Sequence, residues 1–273
     1  MIDRLYRAYR TYGVRGLSKR LLHYADPRAA LREAGILDEV GGRTGLEVGG
    51  PSQMFSRSGL YPVYEAAGRV DNCTFAGETM WEGVVVEGAT FRYARGRAPG
   101  RQYVTEATDL RGVASDSYDF VLSSHCLEHV ANPLRALGEW IRVLKPGGLM
   151  VMVLPNKEGT FDHRRPVTPF VHLIGDFQDD VGEDDLTHLP EILDLHDLAM
   201  DPGSASFEAF KARSLRNFEN RGLHHHTFDA PLVAQIADHA GLKTLSLTLR
   251  GPDNICLLAR KPIGEAAVSP AAS

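Results

Sequence analysis

An α/β fold with a doubly wound, mostly parallel sheet is predicted for this chain of 273 residues. Two observations predict it. From Thr44 onward, short apolar runs alternate with helical stretches, which is typical of repeated βα units. One of those runs, Leu149 to Leu154, is apolar throughout, as expected for a central strand covered on both faces. The length and the hydrophobic content of 43% favour one enzyme-sized unit with an insertion over two independent domains.

Residues 1–40 are predicted to form an N-terminal helical cap. The first 25 residues carry one acidic side chain, Asp3, and six basic ones: Arg4, Arg7, Arg10, Arg15, Lys19 and Arg20. Leucines and tyrosines lie between them, so the pattern indicates a basic amphipathic helix. A helix that covers the core is the favoured interpretation, and weak contact with an anionic membrane surface is the alternative.

The main part of the core is predicted over residues 41–156, where five strands are expected, at 45–48, 69–75, 102–105, 118–124 and 149–154. The helix before the fifth strand has clear ends, since Asn132 can cap it, Pro133 suits its first turn and Gly147 follows it. The core should resume over residues 224–262 with one helix and two strands, at 244–249 and 254–259. Seven strands are therefore expected in all.

Two segments are expected to lie outside this core. Residues 157–223 break the βα alternation, and between Asp176 and Asp201 they hold ten acidic residues without a lysine or arginine, which predicts a polar insertion or lid. Residues 263–273 are rich in alanine and serine and are expected to be a flexible tail.

A glycine turn follows the first predicted strand, in the run Glu47-Val48-Gly49-Gly50. Glycines let a backbone approach a ligand closely, and a doubly wound sheet opens its crevice at the carboxyl ends of its strands. By itself the turn fits either a tight connection or a ligand site. The chain lacks a G-x-G-x-x-G run here, which disfavours a dinucleotide.

Three later segments make the pattern more specific: TEATDL at 105–110, SSHCLEHV at 123–130 and RVLKPGG at 142–148. Together with residues 46–52, and in this order and spacing, they resemble the motifs of class I S-adenosylmethionine-dependent methyltransferases, of the bacterial small-molecule and glycan type. The resemblance covers residues 44–156 and 224–260. It implies a Rossmann-like sheet of seven strands with a lid inserted after the fifth, and S-adenosylmethionine as the cofactor.

The resemblance also implies which residues hold the methionine and ribose ends of the cofactor. Glu47 would organise the turn near the ammonium group, and Gly49 and Gly50 would let the backbone pass close to the methionine and ribose. Asp71, near the end of the second strand, would accept hydrogen bonds from the ribose hydroxyls, with Asn72 or Glu65 as alternatives at that position.

At the adenine and sulfonium ends, the resemblance implies four further residues. Glu106 would accept from the adenine amino group while the Ala107 amide donates to the ring, a pattern that selects adenine. Ser124 and His125 would lie beside the sulfonium. The chain departs from the family after the first glycines, because Pro51 and its neighbours replace further glycines and proline has no amide to donate.

Histidines are concentrated in one part of the chain, since nine of the eleven fall between His125 and His226. For a hydroxyl acceptor, methyl transfer requires alignment and removal of one proton, a task that suits a neutral imidazole. His226, before the helix that resumes the core, is the first candidate for a catalytic base, and His163 is the second. Alternatively, these histidines solvate a lid and Thr227 or Asp229 simply caps a helix. His129 is expected to support its loop.

Two other polar groups admit a functional and a plainer interpretation. His188 and His196 lie in the acidic stretch, where a divalent metal is conceivable, but a solvated acidic lid without metal is favoured. Arg164 and Arg165 offer guanidinium groups that could hold an anionic acceptor such as a carboxylate or phosphate.

These patterns lead to the hypothesis of an O-methyltransferase that acts on a small molecule or a glycan. The alternatives are an N-methyltransferase of a small molecule and a non-catalytic module that keeps the methyltransferase fold. The net charge of −5 disfavours nucleic acid as a partner. Three widely separated cysteines, without metal or disulfide spacing, and the absence of an apolar run near 20 residues favour a cytoplasmic location. The oligomeric state is left open.

Overall fold

The computed structural model describes residues 35–201, 203–204 and 206–264. The basic stretch of the predicted N-terminal cap and the tail from residue 265 lie outside the described residues. Within the described part, no helix has the length and apolar character needed to cross a membrane.

The strands, numbered in chain order, are β1 (Thr44–Val48), β2 (Arg69–Thr74), β3 (Glu78–Thr79), β4 (Gly83–Val84), β5 (Gly88–Phe91), β6 (Gly100–Val104), β7 (Tyr118–Ser124), β8 (Leu144–Pro155), β9 (Lys243–Arg250) and β10 (Asn254–Arg260). Eight of them form one sheet in the order β5-β6-β2-β1-β7-β8-β10-β9, and β3 pairs with β4 in a separate hairpin. From β6 to β8 all pairs are parallel, whereas β10 is antiparallel to both of its neighbours. The predicted α/β fold with a mostly parallel sheet is confirmed.

The sheet has one strand more than the seven expected. The additional strand, β5, is short and runs antiparallel to β6 at the edge of the sheet. Its sequence gives little sign of a strand, because an edge strand is covered less and needs no continuous apolar run. The other seven strands agree with the predicted segments to within a few residues.

The helices are α1 (Ile36–Val40), α2 (Val63–Ala66), α3 (Pro133–Val143), α4 (Phe170–Gln178), α5 (Leu189–Leu195), α6 (Phe207–Ser214), α7 (Asn217–Asn220) and α8 (Ala230–His239). The predicted caps of α3 and α8 are present: the Asn132 side chain accepts from the Arg135 amide, and the Asp229 side chain accepts from the Leu232 amide. Each cap satisfies an amide that the first helical turn leaves without a partner.

Strand β8 shows why the sheet must be covered on both sides. Met150, Met152 and Leu154 belong to one buried cluster, which also contains apolar residues of α3 and α8. Leu149, Val151 and Val153 belong to a second cluster on the opposite face, with residues of α1 and α2. Successive side chains of a strand point to opposite faces, so an uninterrupted apolar run requires two hydrophobic layers.

The segment expected to be a polar, solvated lid is more compact than predicted. It has its own apolar cluster, formed by Leu189, Ile192, Phe210 and Leu223. It also contains a fully buried arginine, Arg165, whose guanidinium contacts carboxylates and backbone carbonyls. The insertion is therefore held to the core by specific packing and polar contacts.

Candidate functional site

A cavity of about 530 Å³ opens at the carboxyl ends of β1, β2, β6 and β7. The residues that line it follow directly from these strands or come from neighbouring loops: Val48, Gly49, Pro51, Ser52, Gln53, Cys73, Thr74, Phe75, Trp81, Glu82, Glu106, Ala107, Ser124, His125, Cys126, His129, Val130, Glu183 and Arg221. The chain continues from β1 toward one edge of the sheet and from β7 toward the other. Such a reversal of strand order leaves a crevice that commonly binds ligands.

The turn after β1 requires glycine at two successive positions. Gly49 has a φ of 80°, a backbone conformation that favours glycine, and a Cβ there would lie 3.1 Å from the Cys126 sulfur. A Cβ on Gly50 would lie 2.2 Å from the carboxyl carbon of Glu47. The Gly50 amide donates to the Asn72 side chain, which donates back to the Gly50 carbonyl. The turn is thus fixed while Gly49 faces the cavity without a side chain.

Glu47 stabilises this turn through hydrogen bonds to its carboxyl group. Its carboxyl group is fully buried and accepts hydrogen bonds from the Tyr64 hydroxyl (2.6 Å) and the Ser52 amide (3.0 Å). Burial raises the pKa of Glu47 to about 8, although the two hydrogen bonds act in the opposite direction. Glu47 is therefore mostly protonated near neutral pH. It is not among the residues that line the cavity, and its contact with a cofactor stays a prediction.

The expected ribose acceptor, Asp71, lies away from the cavity. It sits in the middle of β2, where its buried carboxylate accepts from the Arg101 amide (2.8 Å) and the Tyr118 hydroxyl (2.9 Å). These bonds connect β2 with the adjacent β6 and with β7, which lies two strands away, so the structure gives Asp71 a role within the sheet. Asn72 and Glu65, the alternative ribose acceptors, do not line the cavity either. The Asn72 side chain is bonded to Gly50 in the glycine turn, and Glu65 is exposed on α2.

Glu82, unlike Asp71, places a carboxyl group at the cavity. It lines the cavity after the short β3 strand and accepts a hydrogen bond from the Thr79 hydroxyl. Burial raises the pKa of Glu82 above its ordinary value. Glu82 has no signal in the sequence, because the segment between β2 and β5 has no regular hydrophobic period. The nearby Trp81, half exposed, could have been noticed as an isolated aromatic residue in a polar stretch.

The expected adenine-binding residues both line the cavity. Glu106 follows β6, and its Oε1 lies 2.5 Å from Nη2 of Arg221, which comes from the insertion. The Arg221 guanidinium also lies over the rings of Phe75 and Phe218, at 5.1 and 4.9 Å from their centroids. The Ala107 carbonyl accepts from the Trp140 indole, which fixes the backbone at this position.

Besides Arg221, the insertion contributes the carboxyl group of Glu183 to the cavity. Glu183 lines the cavity, and its Oε1 accepts from the Ala131 amide at 3.2 Å. Burial raises the pKa of Glu183 to about 7, although the charge of Arg221 acts in the opposite direction. No sequence pattern predicts a role for Glu183 or Arg221. Neither lies near a recognisable motif, and only the folded insertion brings them to the end of β6.

Ser124 and His125, expected beside the sulfonium, line the cavity at the end of β7. The His125 ring contacts two acceptors: Nε2 lies 2.8 Å from the Asn254 side-chain oxygen, and Nδ1 lies 3.5 Å from Oε1 of Glu128. Burial lowers the pKa of His125, but contact with Glu128 outweighs it and raises that pKa to about 9. His125 therefore carries a positive charge near neutral pH.

Glu128 is fully buried, and neither carboxyl oxygen has a hydrogen-bond partner within the geometric limits among the described residues. Burial acts to raise the pKa of Glu128, but His125 and the surrounding histidines outweigh it and lower that pKa. The carboxylate is therefore ionised. It forms the negative centre of a group that includes His125, His129 and His224.

His129 differs from His125 in charge. It lines the cavity, and its Nδ1 lies 3.0 Å from the Leu223 carbonyl oxygen. A carbonyl only accepts, so Nδ1 carries the hydrogen and Nε2 of the neutral ring keeps its lone pair. Burial lowers the pKa of His129 to about 4. The cavity thus holds a neutral imidazole beside an ionised carboxylate, with His129 Nε2 4.0 Å from Glu128 Oε1.

The two histidines expected to act as bases lie elsewhere. His226 is buried, with Nε2 2.9 Å from Oδ2 of Asp176, and His163 Nε2 lies 2.9 Å from Oδ2 of Asp197. Neither is among the residues that line the cavity, and a catalytic role for either stays a prediction. The sequence correctly indicated that histidines gather near this edge, but carboxylates of the insertion determine where these two rings point.

The other predictions for the insertion also change. Arg165 is fully buried between Asp162 and Glu191, so it is not available to an acceptor, and Arg164 pairs with Asp197. His188 and His196 do not share a site: His196 pairs with Asp201, whereas His188 contacts His172.

Comparisons with known proteins agree with the sequence motifs. Residues 82–152 match the methyltransferase domain family. A curated relative, an uncharacterised methyltransferase of Mycobacterium sp. (strain JLS), is 31% identical over 125 residues, which cover 45% of this chain and 43% of that protein. The matched region thus spans less than half of the relative's length.

Solved structures with a similar chain path include two methyltransferases. One is an S-adenosylmethionine-dependent methyltransferase from Mesorhizobium loti, 14% identical, with a TM-score of 0.49 and coverage of 86% of this chain and 98% of that chain. The other is the 1,6-didemethyltoxoflavin-N1-methyltransferase of Burkholderia thailandensis, 13% identical, with a TM-score of 0.46 and coverage of 96% and 88%. Over residues 82–152 the chain is therefore similar to the methyltransferase domain family, and the curated relative extends that similarity to 125 residues.

Proposed function

We propose that the chain binds S-adenosylmethionine in the cavity and methylates a hydroxyl oxygen of a small molecule or a glycan. The observation that carries this proposal is the order of groups along one cavity wall. A glycine turn, a carboxylate at the end of β6 and a histidine pair at the end of β7 follow one another around the point where the strand order reverses.

The residues present fit this cofactor. Gly49 leaves the wall free of a side chain, and the cavity of about 530 Å³ has the size of a small-molecule site. Glu106 and Ala107 would hold the adenine, and Glu82 would accept from the ribose hydroxyls. Ser124 and His125 would lie at the methionine end. When bound, the cofactor supplies a methyl group on a positively charged sulfur.

His129 is the candidate general base. It is neutral near pH 7, lines the cavity and keeps the lone pair of Nε2 available. When Nε2 takes a proton, the resulting imidazolium lies beside the Glu128 carboxylate, which offsets part of the cost of burying that charge. An oxygen acceptor must lose its proton in the reaction, whereas a neutral amine can attack first. This arrangement therefore favours a hydroxyl over an amine as the acceptor.

The mouth of the cavity supports a polar acceptor with an apolar face, such as a sugar ring. Trp81 is 50% exposed, and its ring centroid lies 5.4 Å from that of His129. An exposed indole offers a flat apolar surface with a polar edge, next to the candidate base. Glu82 and Gln53 on the same wall can hydrogen-bond hydroxyl groups.

Calorimetry with S-adenosylmethionine and its demethylated product tests the cofactor. We expect Glu106→Gln to weaken binding by about 10-fold or more, since a hydrogen bond to a charged group contributes about 1.5–3 kcal/mol. Asp71→Asn, at a buried carboxylate that does not line the cavity, is the matched control and should leave affinity unchanged. No binding by the folded wild-type chain would refute the proposal.

A screen of acceptors with a radiolabelled methyl group then tests the reaction. Label transferred to a hydroxyl of a sugar or small molecule, and lost with His129→Gln, supports the proposal. Transfer to an amine with His129→Gln unaffected would instead establish an N-methyltransferase. Cofactor binding without transfer to any acceptor would favour a non-catalytic module.

A further inference from the structure

A second group of histidines lies outside the cavity, where the insertion meets the segment before α8. It consists of three histidines and one aspartate, called here the His3Asp site: His172, Asp176, His188 and His226. His172 and Asp176 are four residues apart on α4 and so lie on the same face of this helix. His188 precedes α5 and His226 precedes α8, so three separate segments meet here.

The distances between the donor atoms match those expected around a single small metal ion. The ligand nitrogens of the three histidines all lie within 4.8 Å of one another. His226 Nε2 lies 2.9 Å from Asp176 Oδ2, His172 Nε2 lies 3.1 Å from His188 Nε2, and His172 Nε2 lies 3.5 Å from Asp176 Oδ2. Tetrahedral zinc with bonds of about 2.0–2.1 Å requires its ligands to be about 3.3 Å apart.

The donor set and its surroundings also suit a divalent cation. Three imidazoles and one carboxylate are a common ligand set for zinc. His226 contacts the site through Nε2, which lies 2.9 Å from Asp176 Oδ2, and its side chain is buried. The positive charge of Arg165, which would repel a cation at His226, is compensated by its ion pairs with Asp162 and Glu191. The His172 side chain is 40% exposed, which leaves an entry path for the ion.

We propose that His172, Asp176, His188 and His226 bind one zinc ion that fastens the insertion to the core. The ion would join α4, the start of α5 and the segment that leads into α8. The chain between Asp176 and His188 includes Glu183, which lines the cavity, so anchoring both ends of this stretch fixes part of the cavity wall. His226 thus serves as a metal ligand.

The zinc content of the purified chain, and zinc titration after chelator treatment, test this site independently of activity. We expect one zinc per chain. Loss of an outer-shell partner lowers metal affinity about 10–100-fold, so loss of a ligand in His172→Ala or His188→Ala should lower it at least about 100-fold. These two positions are chosen because they are partly exposed. His239→Ala, an exposed histidine on α8, is the matched control and should bind zinc like the wild type.

Cobalt in place of zinc gives a second measurement that needs no variant. A site with three nitrogens and one oxygen should give the intense visible bands of tetrahedral cobalt in the wild-type chain, and zinc should displace them. The proposal is overturned if the folded chain binds neither metal, or if His172→Ala and His188→Ala bind zinc as the wild type does. It is also overturned if binding is lost in His129→Ala instead, because the metal would then belong to the group of Glu128, His129 and His224.

Discussion

Two fully buried glutamates lie near the cavity, one in β1 and one just after the neighbouring β7, and they are in opposite charge states. Glu47 lies in β1, and Glu128 lies just after β7, which pairs with β1. Burial acts to raise the pKa of both. Around Glu47 the closest partners are a tyrosine and an amide, and its pKa stays near 8. Next to Glu128 lies the positively charged His125, 3.5 Å away, and the pKa of Glu128 is lowered. The neighbours, rather than burial, decide which carboxyl group is ionised.

The largest expected effect is the loss of His129, the candidate base beside Glu128. His129→Gln keeps a polar side chain but removes the imidazole, and we expect kcat to fall by about 10²–10⁴-fold, the usual contribution of a general base. KM for the cofactor should change little. His163→Gln, on a histidine that does not line the cavity, should retain activity within about threefold. Full activity of His129→Gln would assign proton removal to another group.

The two glutamates themselves can be compared by the same substitution. Glu128→Gln removes the charge that stabilises imidazolium in its neighbours, so we expect kcat to fall about 100-fold. Glu47→Gln replaces a mostly protonated carboxyl with a neutral amide of the same shape and should keep most of the activity.

An NMR titration of His125 gives a second measurement of the same contrast. Its pKa of about 9 in the wild type should drop in Glu128→Gln and stay in Glu47→Gln. Equal pKa values for His125 in both variants would show that Glu128 is not the group that charges it.

Stability should depend on pH through Glu47 in a direction opposite to that of most carboxyl groups. Its pKa is about 8 in the folded chain and 4.5 for a free glutamate side chain. Between these values the folded state keeps a proton that the unfolded state has lost. The free energy of unfolding therefore falls as pH rises, by about 1.4 kcal/mol per pH unit from this group. Below the lower value the contribution is constant.

Glu47→Gln removes this dependence, so its stability relative to the wild type should increase from about pH 5 to about pH 8. Urea unfolding at several pH values measures the difference between the two proteins, and other titrating groups cancel in that difference. Parallel stability curves for wild type and variant would mean that Glu47 is ionised in the folded state.

The smallest expected effect is a difference in cofactor affinity between variants of Glu82, in the cavity wall, and Asp71, within the sheet. Glu82→Gln should weaken cofactor binding by about 10-fold, because one hydrogen bond to a charged group is weakened. Asp71→Asn should change affinity by less than about twofold and act instead on stability, since its three strands lose a shared acceptor. Calorimetry measures both affinities. The reverse ranking would restore Asp71 as the ribose acceptor.

The regular parts of the fold could be predicted because each follows from local chemistry. The cap at Asn132, the apolar run in β8 and the stripe on α3 each depend on adjacent or helically spaced residues. Strand β5 and the β3–β4 hairpin have no such signal, since they are short and their pairing depends on distant residues.

The site was predictable where a side chain directly follows a strand of the parallel sheet. Gly49, Glu106, Ser124 and His125 reach the cavity for this reason. The orientation of Asp71 depends on Tyr118 and Arg101, which the sequence does not place beside it. His129, expected only to support its loop, reaches the cavity with its tautomer fixed by Leu223 of the insertion. Such contacts join residues that are distant in the chain, so no local sequence pattern reveals them.

The pairing of Arg221 with Glu106 makes the end of the cavity that we propose for the adenine depend on a segment more than a hundred residues downstream. Arg221 adopts a left-handed backbone conformation, and its guanidinium lies over two aromatic rings, so it is held before any ligand arrives. The rotational entropy of the Glu106 side chain is therefore lost when the chain folds rather than when a ligand binds. Local unfolding of the insertion would return that freedom to Glu106, and retention of the ligand would then decline even though the sheet stayed intact.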